Sequence, residues 1–193
     1  VDIFIYYNQP NNMTEETDAI VIDVGNFMTR AGFSGSEVPQ FVTRSVIGTK
    51  NFKTYIGNDV CNNYGIYNIK HVFDKGPLCS VKTNFDLIPI IWEKVFHSLE
   101  ANPAQHSVMI CVPPIFPKGD LEKTIEIMFE TFNVPFYSSL DTASLSLFTS
   151  GRSTGVVLES GDLFTSFVPI YRGELQFGSI TRIPLAGNEV TNY

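Results

Sequence analysis

Basic side chains are scarce in this sequence: 13 Lys and Arg stand against 20 Asp and Glu, which gives a formal net charge of −7. Nucleic-acid binding needs a concentrated basic surface that neutralises phosphates, and these scattered cations do not supply one. Long apolar runs are also missing, since no stretch approaches the roughly 20 apolar residues of a membrane helix. We therefore expect neither nucleic acid as the main ligand nor a membrane as a partner.

Cysteine is rare as well, and Cys61, Cys79 and Cys111 are widely spaced, with no CxxC pair and no histidine at metal-ligand spacing. An odd, dispersed set predicts buried, reduced thiols in a cytosolic or nuclear protein, not a disulfide framework or a zinc site. Apolar residues are plentiful at 44%, and they include 16 Phe and 8 Tyr. This composition is typical of a globular chain with a sizeable core.

The stretch AIVIDVGNFMTRAGFSG, residues 19–35, reads as a strand, a tight turn and a second strand. Its apolar run leads Asp23 into a turn at Gly25, an arrangement that presents backbone N–H groups to a phosphate. Phe27 argues against a phosphate site, because a phosphate held in a glycine turn needs close approach of the backbone and a phenyl side chain obstructs it. Asp23 also has a purely structural interpretation, as a side chain that caps the turn.

A second copy of this pattern begins at Gly155 with GVVLESGDLFTSFVPIYRG, and each position lies 136 residues after its counterpart. Glu159 follows the second apolar run as Asp23 follows the first, and Gly161 matches Gly25. An internal repeat of this kind predicts a duplicated domain plan. We expect the two glycine turns to face each other across a cleft.

Helical and strand patterns alternate between the two copies. DLIPIIWEKVFHSLE predicts an amphipathic helix with Asp86 as N-cap, and GDLEKTIEIMFETFNV a helix opened by Asp120. SVMICVPP and PFYSSL predict strands, and DTASLSLFTSG predicts a helix that Asp141 caps and Gly151 closes. This alternation favours an α/β sheet flanked by helices.

The segments EIMFETFNVPFY, SLFTSGRSTGVVLESGD and VPIYRGEL resemble the first half of actin and its related proteins, from about residue 18 to residue 193. The resemblance implies an actin-like ATPase fold: α/β, with ribonuclease H-like duplicated subdomains, a mixed sheet flanked by helices and a small insertion subdomain. The heat-shock 70 chaperones and sugar kinases share only the two acid–glycine turns.

The resemblance also divides the chain. Residues 1–18 are predicted to be an N-terminal extension, of which residues 1–12 precede a candidate initiator, Met13. The expected divisions of the rest are subdomain 1 at 19–44 and 71–152, a small subdomain 2 at 45–70, and the start of subdomain 3 at 153–193.

Actins bind ATP or ADP with Mg²⁺ in the cleft between the two hairpins, and the resemblance carries this ligand over as an expectation. The family's metal-side aspartate corresponds to Asp23, which would hold the ion through water, and its water-orienting glutamine corresponds to Thr142. The matching cofactor-binding positions are Asp23, Gly25, Asn26, Arg30, Glu159, Gly161, Asp162 and Gly187.

Several of these positions depart from the family. Phe27 and Leu163 stand where it has glycine, Glu159 where it has aspartate, and Lys75 where actins carry a modified histidine. Thr142 is too short to replace the amide of a glutamine, and hydrolysis depends mostly on positioning water and stabilising charge. We therefore expect a degenerate ATPase site with weak or structural nucleotide binding, and no enzyme activity.

The filament loop of actin is also missing, since TKNFKT alone joins Gly48 to Tyr55. This shortening disfavours self-polymerisation. The nearby cations Arg44, Lys50 and Lys53 suggest either a partner contact or a solvated loop.

These observations favour a divergent actin-related protein that serves as a structural or scaffolding subunit of a multiprotein cytoskeletal assembly in the cytoplasm, with a cilium as one setting. Its expected partners are other proteins, actin or actin-related subunits among them. Two alternatives are an ATP-hydrolysing, filament-forming actin and a nuclear subunit of a chromatin-remodelling complex. The apolar hairpin from Gly155 to Gly173 predicts a sheet that needs cover on both faces, from a partner or from further chain.

Overall fold

A computed structural model describes residues 4–7, 18–62, 65–76 and 80–193. The described strands are, in chain order, β1 (Phe4–Tyr7), β2 (Ile20–Val24), β3 (Met28–Phe33), β4 (Phe41–Arg44), β5 (Val46–Lys50), β6 (Lys53–Ile56), β7 (Asn68–His71), β8 (Phe73–Lys75), β9 (Val81–Thr83), β10 (Val108–Val112), β11 (Phe136–Asp141), β12 (Gly155–Ser160), β13 (Thr165–Tyr171), β14 (Glu174–Leu175) and β15 (Thr181–Ile183).

The described α-helices are α1 (Asn58–Cys61), α2 (Ile88–Ser98), α3 (Lys118–Glu130), α4 (Thr142–Thr149) and α5 (Gly187–Thr191). Within the described ranges, none of them is long and apolar enough to cross a membrane.

The main sheet has six strands in the order β1-β11-β10-β2-β3-β4. Strand β10 runs parallel to both β2 and β11, whereas the other pairs are antiparallel, so the sheet is mixed as predicted. The carboxyl ends of the parallel strands β2, β10 and β11 lie side by side. The register there places Cys111 beside Asp23, and Val112 beside Asp141. The candidate site lies at these strand ends.

Helix α2 packs its apolar stripe into the core of this sheet, and Ile91, Trp92 and Val95 are almost completely buried there. The prediction that Asp86 caps this helix is wrong. The helix begins at Ile88 after Leu87, and no side chain caps it. The Asp86 backbone N–H instead donates to Asn84 Oδ1 over 3.2 Å, because this residue lies in the turn before the helix.

Helix α3 begins at Lys118, with Pro117 in the N-cap position, so Asp120 lies inside the first turn and does not open the helix. An acid is favourable there because of the helix dipole, and Asp120 Oδ2 also accepts from Thr83 Oγ1 over 2.7 Å. The prediction for α4 is confirmed: Asp141 Oδ1 accepts from the Ser144 N–H over 2.7 Å, and Gly151 has a φ of +70°.

The second sheet runs β12-β13-β14, and β15 also pairs with β13. Helix α4 packs on one face, where it buries Val168 and Ile170. The opposite face is apolar but open to solvent, with Val156, Leu158, Phe167, Tyr171 and Ile183 exposed.

The expectation of buried thiols is wrong for the two cysteines that the structure describes. Cys111 and Cys61 are both only partly buried. Cys111 lies near the carboxyl end of β10, a central strand of the main sheet, and Cys61 is the last residue of the short helix α1. Cys79 lies outside the described residues.

Candidate functional site: the cleft between two repeated turns

The two repeated hairpins have the same pairing register. Asp23 pairs with Arg30 between β2 and β3, and Glu159 pairs with Ser166 between β12 and β13. Both turns close with the same backbone hydrogen bond, from Gly25 N to Met28 O at 3.0 Å and from Gly161 N to Phe164 O at 3.1 Å. The internal repeat predicted from the sequence is therefore confirmed as a structural repeat.

The turns face each other across a cavity of about 210 Å³. It brings together most of the predicted site residues: Asp23, Gly25, Asn26, Thr142, Glu159, Gly161 and Asp162. Arg30 and Gly187 do not line it. They line a second cavity of about 480 Å³, which both glycine turns also border.

A direct hydrogen bond crosses the cleft between the tips of the two turns. Asn26 Nδ2 donates to Asp162 Oδ2, and these two residues occupy equivalent positions of the repeat. The other amide atom, Asn26 Oδ1, is buried and accepts no hydrogen bond from the described residues. A flipped amide would place this oxygen against the carboxylate, so the pairing with Asp162 fixes the orientation of Asn26.

The carboxylate of Glu159 is held by hydroxyl groups of helix α4. Thr142 Oγ1 donates to Glu159 Oε2 over 2.8 Å, and Ser146 Oγ donates to Glu159 Oε1 over 3.2 Å. Thr142, which stands at the family's water-orienting position, therefore uses its hydroxyl proton in a hydrogen bond to Glu159 of the second hairpin.

Asp23 lies on the opposite wall, with Oδ2 3.7 Å from Arg30 Nη1. Burial raises the pKa of Asp23 above its usual value, and the Arg30 charge opposes this shift. Burial, together with the neighbouring Asp23 charge, raises the pKa of Cys111 to about 12. The Cys111 thiol is therefore protonated at neutral pH and is a poor nucleophile.

The two bulky residues that replace family glycines lie in different surroundings. Leu163 lines the 210 Å³ cavity. Phe27 borders the 480 Å³ cavity, is 48% exposed, and has the guanidinium carbon of Arg44 3.4 Å from its ring centroid. The cation–π contact holds Arg44 at the turn, so Arg44 does not act as a free cation beside Lys50 and Lys53.

Sequence reasoning missed a second contact near the cleft. Lys75 forms an ion pair with Glu189, 114 residues further along the chain, and this pairing holds the pKa of Glu189 below its usual value. Lys75 Nζ and Arg182 Cζ also lie 5.9 and 5.3 Å from the ring centroid of Phe164. No local sequence pattern signals contacts between residues so far apart.

A nucleotide phosphate chain fits this arrangement poorly. The buried atom without a partner, Asn26 Oδ1, is a hydrogen-bond acceptor, and so are phosphate oxygens, while the donor Nδ2 is already bound to Asp162. Among the described residues, no group of three His, Cys, Asp or Glu side chains could hold a metal ion directly. A metal at Asp23 would need water molecules to complete its coordination.

The duplicated hairpins, the mixed sheet and the acid–glycine turns at the cleft define a protein of the actin-like ATPase fold. The family model for actin matches residues 14–193. Actin-like protein 7B of Mus musculus is 33% identical over 187 residues, an alignment that covers 91% of this chain and 44% of the relative. The chain therefore belongs to the actin family, and it spans less than half the length of that relative.

Proposed function

We propose that this chain acts as a structural or scaffolding subunit of a multiprotein cytoskeletal assembly, with nucleotide bound weakly or in a structural role. One observation carries the proposal: the two turns that bind nucleotide phosphates in the family are bonded to each other through Asn26 and Asp162. This contact lies in the space where the resemblance places the phosphate chain.

The chemistry of the cleft supports the same proposal. Phosphoryl hydrolysis requires a group that orients the attacking water, together with charges placed to stabilise the transition state. Thr142 is short and already donates to Glu159, and Arg30 lies 3.7 Å from the Asp23 carboxylate. With these groups engaged, we expect hydrolysis to be far slower than in conventional actin.

A filament-forming actin is disfavoured by the small sheet β6-β5-β7. Residues Asn51 and Phe52 alone separate β5 from β6, so the long loop that inserts into the next subunit of an actin filament has no counterpart here. The proposed role is therefore in an assembly with other proteins, in the cytoskeleton, with the nucleus as the alternative location.

A single-turnover assay with labelled ATP and Mg²⁺ on the intact natural protein tests the catalytic part of the proposal. We expect no turnover above that of the matched Asp23→Ala variant. Turnover at the rate of a conventional actin, abolished in Asp23→Ala, would contradict it.

The scaffolding part is tested by size measurement and co-purification from the native source. The protein is expected to elute with other proteins in fixed stoichiometry, and their identity separates a cytoskeletal from a chromatin assembly. Elution as a free monomer would contradict this part.

A further inference from the structure

Strand β1 lies outside the part of the chain that matches the actin family. The family model begins at residue 14, whereas β1 is formed by residues 4–7 of the N-terminal extension. It pairs antiparallel with β11, in a register that runs from Phe4 opposite Ser139 to Tyr7 opposite Phe136. The extension therefore adds one strand to a six-stranded sheet whose other strands all belong to the family domain.

The surface that β1 covers is the β11 edge, which we define as the backbone of residues 136–139 on the side opposite β10. Proteins protect a free sheet edge with charged side chains, proline or bulges, because its N–H and C=O groups pair readily with another strand. The four covered residues, Phe-Tyr-Ser-Ser, include no charge and no proline, and their register with β1 is continuous. By contrast β4, at the other end of the sheet, contains Arg44. The β11 edge is therefore suited to accept a strand.

Strand β1 is held to the domain by few constraints. Among the described strands it pairs with β11 alone. Residues 8–19 connect it to β2. Because β11 and β10 lie between β1 and β2, this connection crosses three strand spacings, about 14 Å, which is much less than its fully extended length. A short terminal strand on such a connection can leave the sheet while the rest stays folded.

The sequence of β1 indicates what the β11 edge accepts. FIYY consists of aromatic and β-branched residues, which favour strands, and has no charge. Addition of an extended segment to a sheet edge is a recurring mode of peptide recognition, in which backbone hydrogen bonds supply affinity and side chains supply specificity. We propose that the β11 edge binds an uncharged, aromatic-rich strand of a protein partner, which replaces β1 there. The proposal rests on the assembly role proposed above and identifies a surface that serves it.

A second copy of this chain is a poorer occupant of the β11 edge than a different protein. The β1 strand of a second copy would make only the pairs that the chain's own β1 already makes. The connection through residues 8–19 holds the chain's own strand at an effective concentration on the order of millimolar, so an identical strand from another molecule competes poorly. A partner strand that is longer or better matched than FIYY supplies the additional affinity that replacement requires.

Substitutions in the full chain uncover the β11 edge. Neighbouring residues of an antiparallel strand alternate between hydrogen-bonded and non-bonded positions, so Ile5→Pro together with Tyr6→Pro removes at least one backbone donor that faces β11. The matched control, Asn11→Pro together with Asn12→Pro, lies in the same extension but outside β1. Hydrogen exchange of β11 amides should be faster in the first variant and unchanged in the control. Equal exchange in both would overturn the proposal.

A labelled synthetic peptide of residues 1–10 tests whether the β11 edge accepts a strand from another molecule. We expect it to bind the Ile5→Pro/Tyr6→Pro variant at least about tenfold more tightly than wild type, in which β1 already occupies the edge. The control peptide is methylated on the backbone nitrogens of Ile5 and Tyr6, so it keeps the side chains, lacks the donors and should not bind. Equal binding to variant and wild type, equal binding of the methylated peptide, or no binding would overturn the proposal.

Hydrogen exchange of the native assembly tests the occupant. In the assembly the amides of β11 should stay protected, while those of residues 4–7 should exchange as fast as in the Ile5→Pro/Tyr6→Pro variant. Protection of both strands, or a crosslink that pairs β11 with a second copy of this chain, would overturn the proposal.

These outcomes separate the inference from the proposed function. If the native protein elutes as a free monomer, the assembly role fails, and the partner strand fails with it. If the protein elutes in an assembly in which residues 4–7 stay protected, the role of the β11 edge alone is overturned.

Discussion

The two repeated hairpins fold alike but have very different surroundings. The first, β2–β3, lies between β10 and β4 in the main sheet, and Ile20 and Ile22 on β2 are completely buried. The second, β12–β13, has β12 at the end of its sheet, and the equivalent residues Val156 and Leu158 are 67% and 61% exposed. Local sequence therefore determines the turn and the register, whereas burial depends on the elements that pack around each copy.

The largest expected difference lies at the equivalent pair Ile22 and Leu158. Ile22→Ala opens a cavity in the core and should lower the free energy of unfolding by about 2–5 kcal/mol. Leu158→Ala removes an exposed side chain and should change it by less than about 0.5 kcal/mol. Urea unfolding of both variants measures the difference, and equal losses would show that β12 is covered as β2 is.

The glycine turns should also differ in their tolerance of a side chain. A Cβ at Gly25 would lie 2.9 Å from Met28 O, whereas the nearest atom to a Cβ at Gly161 is Phe164 O at 3.8 Å. Gly25→Ala should therefore destabilise by about 1–3 kcal/mol, and Gly161→Ala should be nearly neutral. Thermal unfolding checks this comparison, and a larger loss from Gly161→Ala would reverse our account of the turns.

The smallest expected effect concerns Asp23, because burial raises the pKa of this carboxyl in the folded protein. A folded-state pKa raised above the unfolded value means that the folded protein binds the proton more tightly. Asp23 should therefore lower the free energy of unfolding as pH rises from the ordinary aspartate pKa of 3.8 through the raised pKa of the folded state.

The Asp23→Asn variant has no carboxyl at this position, so its stability does not fall as the wild-type Asp23 ionises. The free energy of unfolding of the variant, relative to that of wild type, should therefore increase as pH rises over this range. Chemical unfolding at a series of pH values measures the difference. A difference that shrinks as pH rises would show that the charge of Arg30 outweighs burial.

Much of the fold follows from local sequence patterns. The β-branched run at residues 20–22, the turn at Gly25 and the cap at Asp141 each depend on neighbouring residues, and the structure confirms the resulting elements. The predicted N-cap of α2 was wrong because a polar residue before a helix can form its hydrogen bond within the preceding turn, as Asp86 does with Asn84. Propensity identifies such helices more reliably than it fixes their first residue.

The candidate site was predictable as a set of positions but not as a set of contacts. The repeat brings Asn26 and Asp162 to equivalent places, yet their hydrogen bond depends on how two separate sheets pack together. The placement of Arg44 over Phe27 was missed for another reason. Charge counting grouped Arg44 with the lysines, whereas cation–π geometry depends on the direction of the side chain.

We infer that side chains of this protein link the two hairpins through the Asn26–Asp162 hydrogen bond, so that no nucleotide is needed to bridge them. Variants that exchange the amide of Asn26 and the carboxylate of Asp162 test this inference. Their thermal unfolding is measured at neutral pH, with and without Mg·ATP. Asn26→Asp places two carboxylates in contact and should destabilise the protein, with recovery as pH falls.

Adding Asp162→Asn to Asn26→Asp recreates an amide–carboxylate pair with the roles exchanged and should restore the melting temperature. Nucleotide-free wild type should unfold in a sharp, cooperative transition, and Mg·ATP should raise its melting temperature only as mass action requires. A nucleotide-free wild type that lacks a sharp transition and gains one with Mg·ATP, together with no effect of the charge exchange, would show that nucleotide links the hairpins and would contradict the account.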